Sequence, residues 1–154
     1  MELRELVEND LQPLLALYRH LHASDTPEAS EQVKAKTWQA ICNNADIRYF
    51  GVFENSALVA SCNITIIPNL TRSCQSYGVI ENVVTHEKYR RRGYGHAVLQ
   101  AALDFAWQHN CYKVMLMTGR LDEETFNFYE TAGFKRHEKE AFIAKPGKHE
   151  VLRR

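Results

Sequence analysis

The stretch of sequence that decides the fold is residues 77–109, which read YGVIENVVTHEKYRRRGYGHAVLQAALDFAWQH. Its first part, 77–85, predicts a strand because it is rich in β-branched residues, although Glu81 and Asn82 interrupt the apolar run. Its last part, 94–109, predicts a helix because apolar residues recur at helical spacing. These residues are Val98, Ala101, Ala102 and Phe105. A loop with two glycines joins the two parts, so the stretch predicts a strand–loop–helix unit.

The segments on either side of this unit predict strands and helices in alternation. Before the unit, we predict a strand at 1–7, a helix capped by Asn9 or Asp10, and a second helix that starts at Thr26-Pro27 and ends at Asn43-Asn44. Strands at 46–54 and 57–67 follow, joined by a turn at 55–56, and a polar loop covers 68–73. After the unit, we predict a strand at 112–118, a helix from 122 to 132 stopped by Gly133, and one or two strands in 134–144. Three successive strands imply antiparallel pairing, and the strand–helix–strand unit from 77 to 118 implies one parallel neighbour. We therefore predict a single mixed α/β domain over 1–154.

Composition excludes several classes of protein. Lys plus Arg number 19 and Asp plus Glu number 19, so the formal net charge is zero and no basic surplus favours nucleic acid or an anionic membrane. No apolar run approaches the ~20 residues needed to span a bilayer. The four cysteines lack metal-site spacing, so we expect free thiols, no metal and a cytoplasmic protein.

The loop between strand and helix has the chemistry of an anion site. Free N–H groups and the positive dipole end of the helix begin near Gly93, and Gly95 allows a close approach to the backbone. A pyrophosphate would suit this cradle. A P-loop is excluded because GxxxxGK is absent, and a dinucleotide fingerprint is excluded because Val98 replaces its third glycine. Taken alone, the loop leaves an ordinary turn open as an alternative.

Two blocks of sequence resemble the GNAT N-acetyltransferases. Arg90-x-x-Gly93-x-Gly95 resembles the coenzyme A signature of that family, and Phe128-Tyr129-Glu130-Thr131-Ala132-Gly133-Phe134 is similar to its second block. The resemblance implies the acyl-CoA N-acyltransferase fold, with a central mixed, mostly antiparallel sheet flanked by helices. It also implies acetyl-CoA as cosubstrate and, because related enzymes are often dimers, allows a homodimer.

The resemblance assigns roles to individual residues. It implies that backbone N–H groups from Arg91 to Ala97 hold the pyrophosphate, that the strand edge at Val83 and Val84 pairs with the pantetheine arm, and that Tyr129 lies near the thioester sulfur. The implied cofactor-binding residues are Val83, Val84, Arg90, Arg91, Arg92, Gly93, Tyr94, Gly95, His96, Ala97 and Phe128.

These roles suggest a mechanism in which a small-molecule amine attacks acetyl-CoA directly in a ternary complex. Glu81 would accept the amine proton, the N–H of Val84 would stabilise the oxyanion, and Tyr129 would protonate the leaving sulfur. Two alternatives remain: a non-catalytic acyl-CoA-binding sensor, and a nucleic-acid-binding module that uses Lys88 and the arginines at 90–92.

The segment 78–134 is more specifically similar to glucosamine-6-phosphate N-acetyltransferases. It departs from them at two positions. Those enzymes usually carry Asp where this chain has Asn82, and many family members carry Asn where this chain has Asp122. The first departure concerns the amino-sugar substrate, and the second concerns one contact with the cofactor.

Overall fold

The computed structural model describes residues 1–21 and 27–147, which form two compact units. The first unit is Met1–Gly119 and the second is Arg120–Arg154. The first contains the whole sheet and four helices, and the second contains one helix. That the chain is a single domain stays a prediction.

The sheet has five strands in the order β1-β2-β3-β4-β5. All neighbours are antiparallel except β4 and β5, which are parallel. The strands are β1 (Glu2–Glu5), β2 (Ile47–Glu54), β3 (Ala57–Ile67), β4 (Tyr77–Thr85) and β5 (Val114–Leu116). This arrangement confirms the predicted fold, a mixed and mostly antiparallel sheet flanked by helices.

The described residues contain five α-helices, four in the first unit and one in the second. They are α1 (Leu11–Tyr18), α2 (Glu31–Cys42), α3 (Thr71–Cys74), α4 (Tyr94–Gln108) and α5 (Glu123–Thr131). One apolar cluster joins α1 and α2 to the sheet through Leu14, Leu17, Trp38, Phe53 and Val84. The helix α4 packs against β2, β3 and β4. Because α4 is anchored in this way, the loop that precedes it has a fixed end point.

The two-residue turn between β2 and β3 explains why that hairpin was readable from sequence. Asn55 and Ser56 both have positive φ, 49° and 66°. This combination is typical of the type I′ turn, whose twist matches that of the flanking strands. The strand β3 that follows this turn has the predicted bounds, Ala57–Ile67.

Two expectations about helices and loops differ from the structure. The second helix begins at Glu31, because the Ser30 side chain accepts a hydrogen bond from the N–H of Val33, and the predicted start at Thr26 lies outside the described residues. The loop at 68–73 leads into α3, a single turn in which Arg72 and Ser73 have left-handed backbone angles.

The prediction of strands in 134–144 is wrong. No residue from 134 to 147 is in a strand. The segment runs through charged residues from Lys135 to Glu140, and its apolar residues Phe142 and Ile143 are 94% and 68% exposed. Without alternating apolar residues there is no buried face to hold a strand in register.

Two further features bear on the expectations from composition. All four cysteines are free, with Cys62 and Cys111 buried and Cys42 and Cys74 exposed. Among the described helices, each is too short or too polar to reach across a lipid bilayer.

Candidate active site

A bulge in β4 lies at the centre of the candidate site. Asn63 of β3 pairs with Glu81, but Ser61, two residues earlier, pairs with Val84, so β4 has one residue more than β3 between these pairs. Asn82 absorbs the extra length with a left-handed φ of 53°, and its side-chain N–H donates to Oδ1 of Asn63 at 2.9 Å. Such bulges re-aim side chains and end regular pairing.

The pairing register shows which face of the sheet carries Glu81. Val84 belongs to the apolar cluster that packs on α1, and residues directly opposite in antiparallel strands share a face. Ser61 therefore lies on the same face, as does Asn63 two residues further along β3. Glu81 pairs with Asn63, so its exposed carboxylate is on the side of the sheet that α1 covers.

The pairing of β4 with β5 ends just before the bulge. The two strands are in register at Gly78, Val79 and Ile80, and no pair is formed after Ile80 within the described part of the chain. From Glu81 to Thr85, β4 is paired with β3 on one side only. The edge that includes Val83 and Val84 thus has the character of a strand edge that can accept an extended ligand.

The loop after β4 bends through two left-handed residues. Arg91 has φ 60° and Gly93 has φ 79°, with Arg92 between them. Gly93 is the N-cap of α4 and, without a side chain, leaves the first N–H groups of the helix uncapped. A Cβ built on Gly93 meets no atom within 4 Å. The space in front of this helix end is therefore open on the side of Gly93.

The first turn of α4 refines the predicted cradle. The N–H of Ala97 already donates to the carbonyl of Gly93 at 3.0 Å and so belongs to the helix. Tyr94 and Gly95, the first two helical residues, have no intrahelical acceptor for their N–H groups by the geometry of an α-helix. The positive end of the helix dipole adds to the attraction for an anion there.

The side chains of the arginines are engaged locally. Nε of Arg90 lies 3.4 Å from the carbonyl of Thr85, at the end of β4. The guanidinium of Arg92 donates to Glu54 at 3.2 Å and lies over the ring of Tyr89 at 5.2 Å. Because the charge of Arg92 is already paired, its backbone is the part of the residue that a ligand can use.

Sequence reasoning missed Glu54. This residue ends β2, and its carboxylate also accepts a hydrogen bond from the hydroxyl of Tyr94. That hydrogen bond, and next to it burial, raise the pKa of Tyr94, so the hydroxyl remains a donor. The contacts join residues 38 and 40 positions apart, and no local sequence pattern signals them.

Tyr129 and Phe128 lie on α5, in the second unit. The ring of Tyr129 packs on Phe128 at 5.0 Å and on Phe134 at 6.3 Å, between ring centroids. The helix ends in a Schellman motif: the N–H of Phe134 donates to the carbonyl of Tyr129, and Gly133 has φ 95°. The end of this block is therefore a helix stop that places Phe134 beside Tyr129.

Asp122, the second departure from the related enzymes, caps α5. Its carboxylate accepts from the N–H of Thr125 at 2.8 Å and from the hydroxyl of the same residue at 3.1 Å. These hydrogen bonds, the backbone one first, lower the pKa of Asp122. The role that the structure gives this residue is to start the helix.

Comparison with known proteins agrees with this geometry. The family model described as the acetyltransferase (GNAT) family matches residues 12–134. The chain belongs to the GNAT acetyltransferases. A glucosamine 6-phosphate N-acetyltransferase of Trypanosoma brucei brucei is 31% identical over 148 residues, which cover 91% of this chain and 92% of that protein.

Solved structures show the same fold. A proposed acetyltransferase of Agrobacterium tumefaciens strain C58 is 41% identical with a TM-score of 0.86, covering 94% of this chain and all of that one. A glucosamine-6-phosphate N-acetyltransferase of Arabidopsis thaliana is 22% identical with a TM-score of 0.81, covering 94% of this chain and 97% of the other, which supports the fold.

As a GNAT enzyme, the protein is an acetyl-CoA-dependent N-acetyltransferase. Its own residues fit that cosubstrate. A diphosphate suits the glycine-capped start of α4, and a linear amide-bearing arm suits the β4 edge that has lost its β5 neighbour. The absence of a metal in the reaction stays a prediction.

Proposed function

We propose that this enzyme transfers the acetyl group of acetyl-CoA directly to the primary amine of a small molecule, with both substrates bound together. The proposal rests on two features that follow each other along one segment. A β4 edge without a β5 neighbour comes first, and a helix start without a side-chain cap follows it. Such a segment can hold an extended thioester at one end and its diphosphate at the other.

Glu81 is the proposed acceptor of the amine proton. It is exposed, and it lies at the bulge where β4 loses its β5 neighbour. An amine must be neutral to attack, so a carboxylate here would remove its proton directly or through one water. The N–H of Val84 is the proposed donor to the oxyanion, and Tyr129 the proposed donor of a proton to the leaving sulfur.

An amino sugar is the acceptor class that we propose first, with glucosamine 6-phosphate as its representative. The support is the Trypanosoma relative, which bears that activity in its name and aligns with 91% of this chain. Asn82 replaces the usual Asp at the bulge, and its amide is held by Asn63. This departure bears on the amino-sugar acceptor, so the test includes other classes of amine.

The test is a thiol-release assay with acetyl-CoA over a panel of amino sugars, polyamines, aminoglycosides, amino acids and peptides. The proposal predicts release that depends on one amine and gives the N-acetylated product by mass spectrometry. Initial rates with both substrates varied should give intersecting double-reciprocal lines, as a ternary complex requires, whereas parallel lines would indicate an acetyl-enzyme. Tight coenzyme A binding without turnover on any amine would support the sensor alternative instead.

A further inference from the structure

Glu54 connects the end of β2 to both residues that flank Gly93. One carboxylate oxygen accepts from the guanidinium of Arg92 at 3.2 Å, and the other accepts from the hydroxyl of Tyr94. The side chain of Glu54 is only 23% exposed, against 50% for Arg92. Gly93 itself has no side chain with which to fix its position, and these two contacts restrain the loop on both sides of it.

The negative charge of Glu54 does not by itself favour the binding of a diphosphate here. The α4 start attracts anions, and a carboxylate anchored to its flanking residues opposes the binding of a diphosphate by simple repulsion. A favourable contribution must therefore come through geometry. When a loop is already ordered before binding, less conformational entropy is lost as the ligand binds.

We infer that Glu54 is a positioning residue for the cosubstrate: it orders the backbone from Arg92 to Tyr94 so that their N–H groups are presented to the diphosphate of acetyl-CoA. This inference rests on the proposed site for acetyl-CoA. It concerns how the loop is held and is independent of which amine the enzyme acetylates.

The decisive measurement is the Kd of coenzyme A by calorimetry for the wild type, Glu54→Ala and Glu87→Ala. Glu87 is the matched control, because it is an exposed carboxylate in the 3₁₀ turn that enters the same loop. Within the described residues, its carboxylate acts on the adjacent His86 through charge, and the hydrogen bond that Glu87 accepts is at its backbone carbonyl. Both variants remove one negative charge near the loop, but only Glu54→Ala releases Arg92 and Tyr94.

Only Glu54→Ala should weaken the binding of coenzyme A. Glu54→Ala should raise the Kd by about tenfold, the size of one lost charge-assisted hydrogen bond. Glu87→Ala should leave it unchanged or lower it slightly, since a repulsive charge is gone. If Glu54→Ala also lowers the Kd, the residue acts through its charge and the inference is wrong.

A second substrate separates positioning from general damage to the fold. Acetyl-pantetheine lacks the diphosphate, so kcat/KM with it should be the same in Glu54→Ala and wild type, while kcat/KM with acetyl-CoA falls. An equal fall with both substrates would overturn the inference.

Tyr94→Phe offers a test in which the carboxylate remains. It should raise the Kd of coenzyme A by itself and add nothing in the Glu54→Ala background, because the hydrogen bond is then already gone. Full additivity of the two changes would count against the inference. A wild-type protein that binds no coenzyme A would instead refute the proposed function.

Discussion

The helices α4 and α5 begin in opposite ways. The helix α4 follows Gly93, which offers no side chain to its first N–H groups. The helix α5 follows Asp122, whose carboxylate accepts the N–H and the hydroxyl of Thr125 at 2.8 and 3.1 Å. One helix start is open to an external anion, and the other already contains its own.

This difference supports different proposed roles for the two blocks that resemble the family. The carboxylate at the start of α5 accepts one of the free N–H groups there and complements the helix dipole. The start of α4 has no such side chain, so the proposed role of the block around Gly93 is a backbone role. The proposed role of the block on α5 is a side-chain role, that of the Tyr129 hydroxyl.

The largest effect is expected from Glu81→Gln, which sharpens the comparison because it alters chemistry without touching either helix start. Loss of a general base should lower kcat by at least on the order of a hundredfold and flatten the pH dependence of the rate. The Kd of coenzyme A, measured by calorimetry, should not change. Glu87→Gln is the control for a lost surface carboxylate, and a wild-type rate profile in Glu81→Gln would rule out the base.

The next largest effect is expected from Gly93→Asp, which gives α4 a carboxylate of its own and so removes the difference between the two helix starts. Gly93→Asp should raise the Kd of coenzyme A by about thirtyfold relative to Gly93→Asn, since a fixed charge at a helix start is worth up to ~2 kcal/mol. The two variants have the same shape and the same backbone cost at φ 79°, and space for a Cβ is open. Equal Kd values in the pair would place the diphosphate elsewhere.

A smaller effect is expected from Tyr129→Phe, which tests the side-chain half of the comparison. Loss of the proposed acid should lower kcat about tenfold while the Kd of coenzyme A stays constant. Tyr112→Phe removes a hydroxyl from another half-buried tyrosine and should have no effect on kcat. The acid role is excluded if the two variants turn over at the same rate.

The smallest effect is expected from Asp122→Ala, which removes the cap of α5. Because folding lowers the pKa of Asp122, its stabilisation is present above the ordinary pKa of an aspartate and is lost as the pH falls through the folded value. The melting temperature of the variant should be lower than wild type at neutral pH and equal to it in acid. Asn at this position can still cap the helix, so Asp122→Asn should lie between. A change in coenzyme A affinity in either variant would contradict the division between the two helices.

Local patterns were enough to predict most of the sheet. The bounds of β3 and β4 follow from β-branched runs closed by polar turns, and the pair Asn55-Ser56 is the kind of turn that the hairpin requires. The start of α4 was readable because Gly93 is needed where φ is positive. These features depend on residues that are close in sequence.

The remaining features depend on long-range contacts or on what a segment lacks. The contacts of Glu54 with Arg92 and Tyr94 bring together β2 and α4, and an isolated glutamate at the end of a strand gives no sign of them. The strands expected in 134–144 do not form, because the segment is charged from Lys135 to Glu140 and lacks an alternating apolar face. The bulge at Asn82 could be suspected from a polar pair in an apolar run, yet its register needed the structure.

The left-handed backbone at Asn82 restricts what evolution can place at that bend. Asn and Asp are among the few side chains that accept such a φ readily, so the Asn here and the Asp usual in glucosamine-6-phosphate N-acetyltransferases satisfy the same steric demand. Exchange between them would change the charge at the bulge while the path of the main chain is preserved. If the amine binds beside Glu81 as proposed, this position would vary substrate preference without a change in the strand.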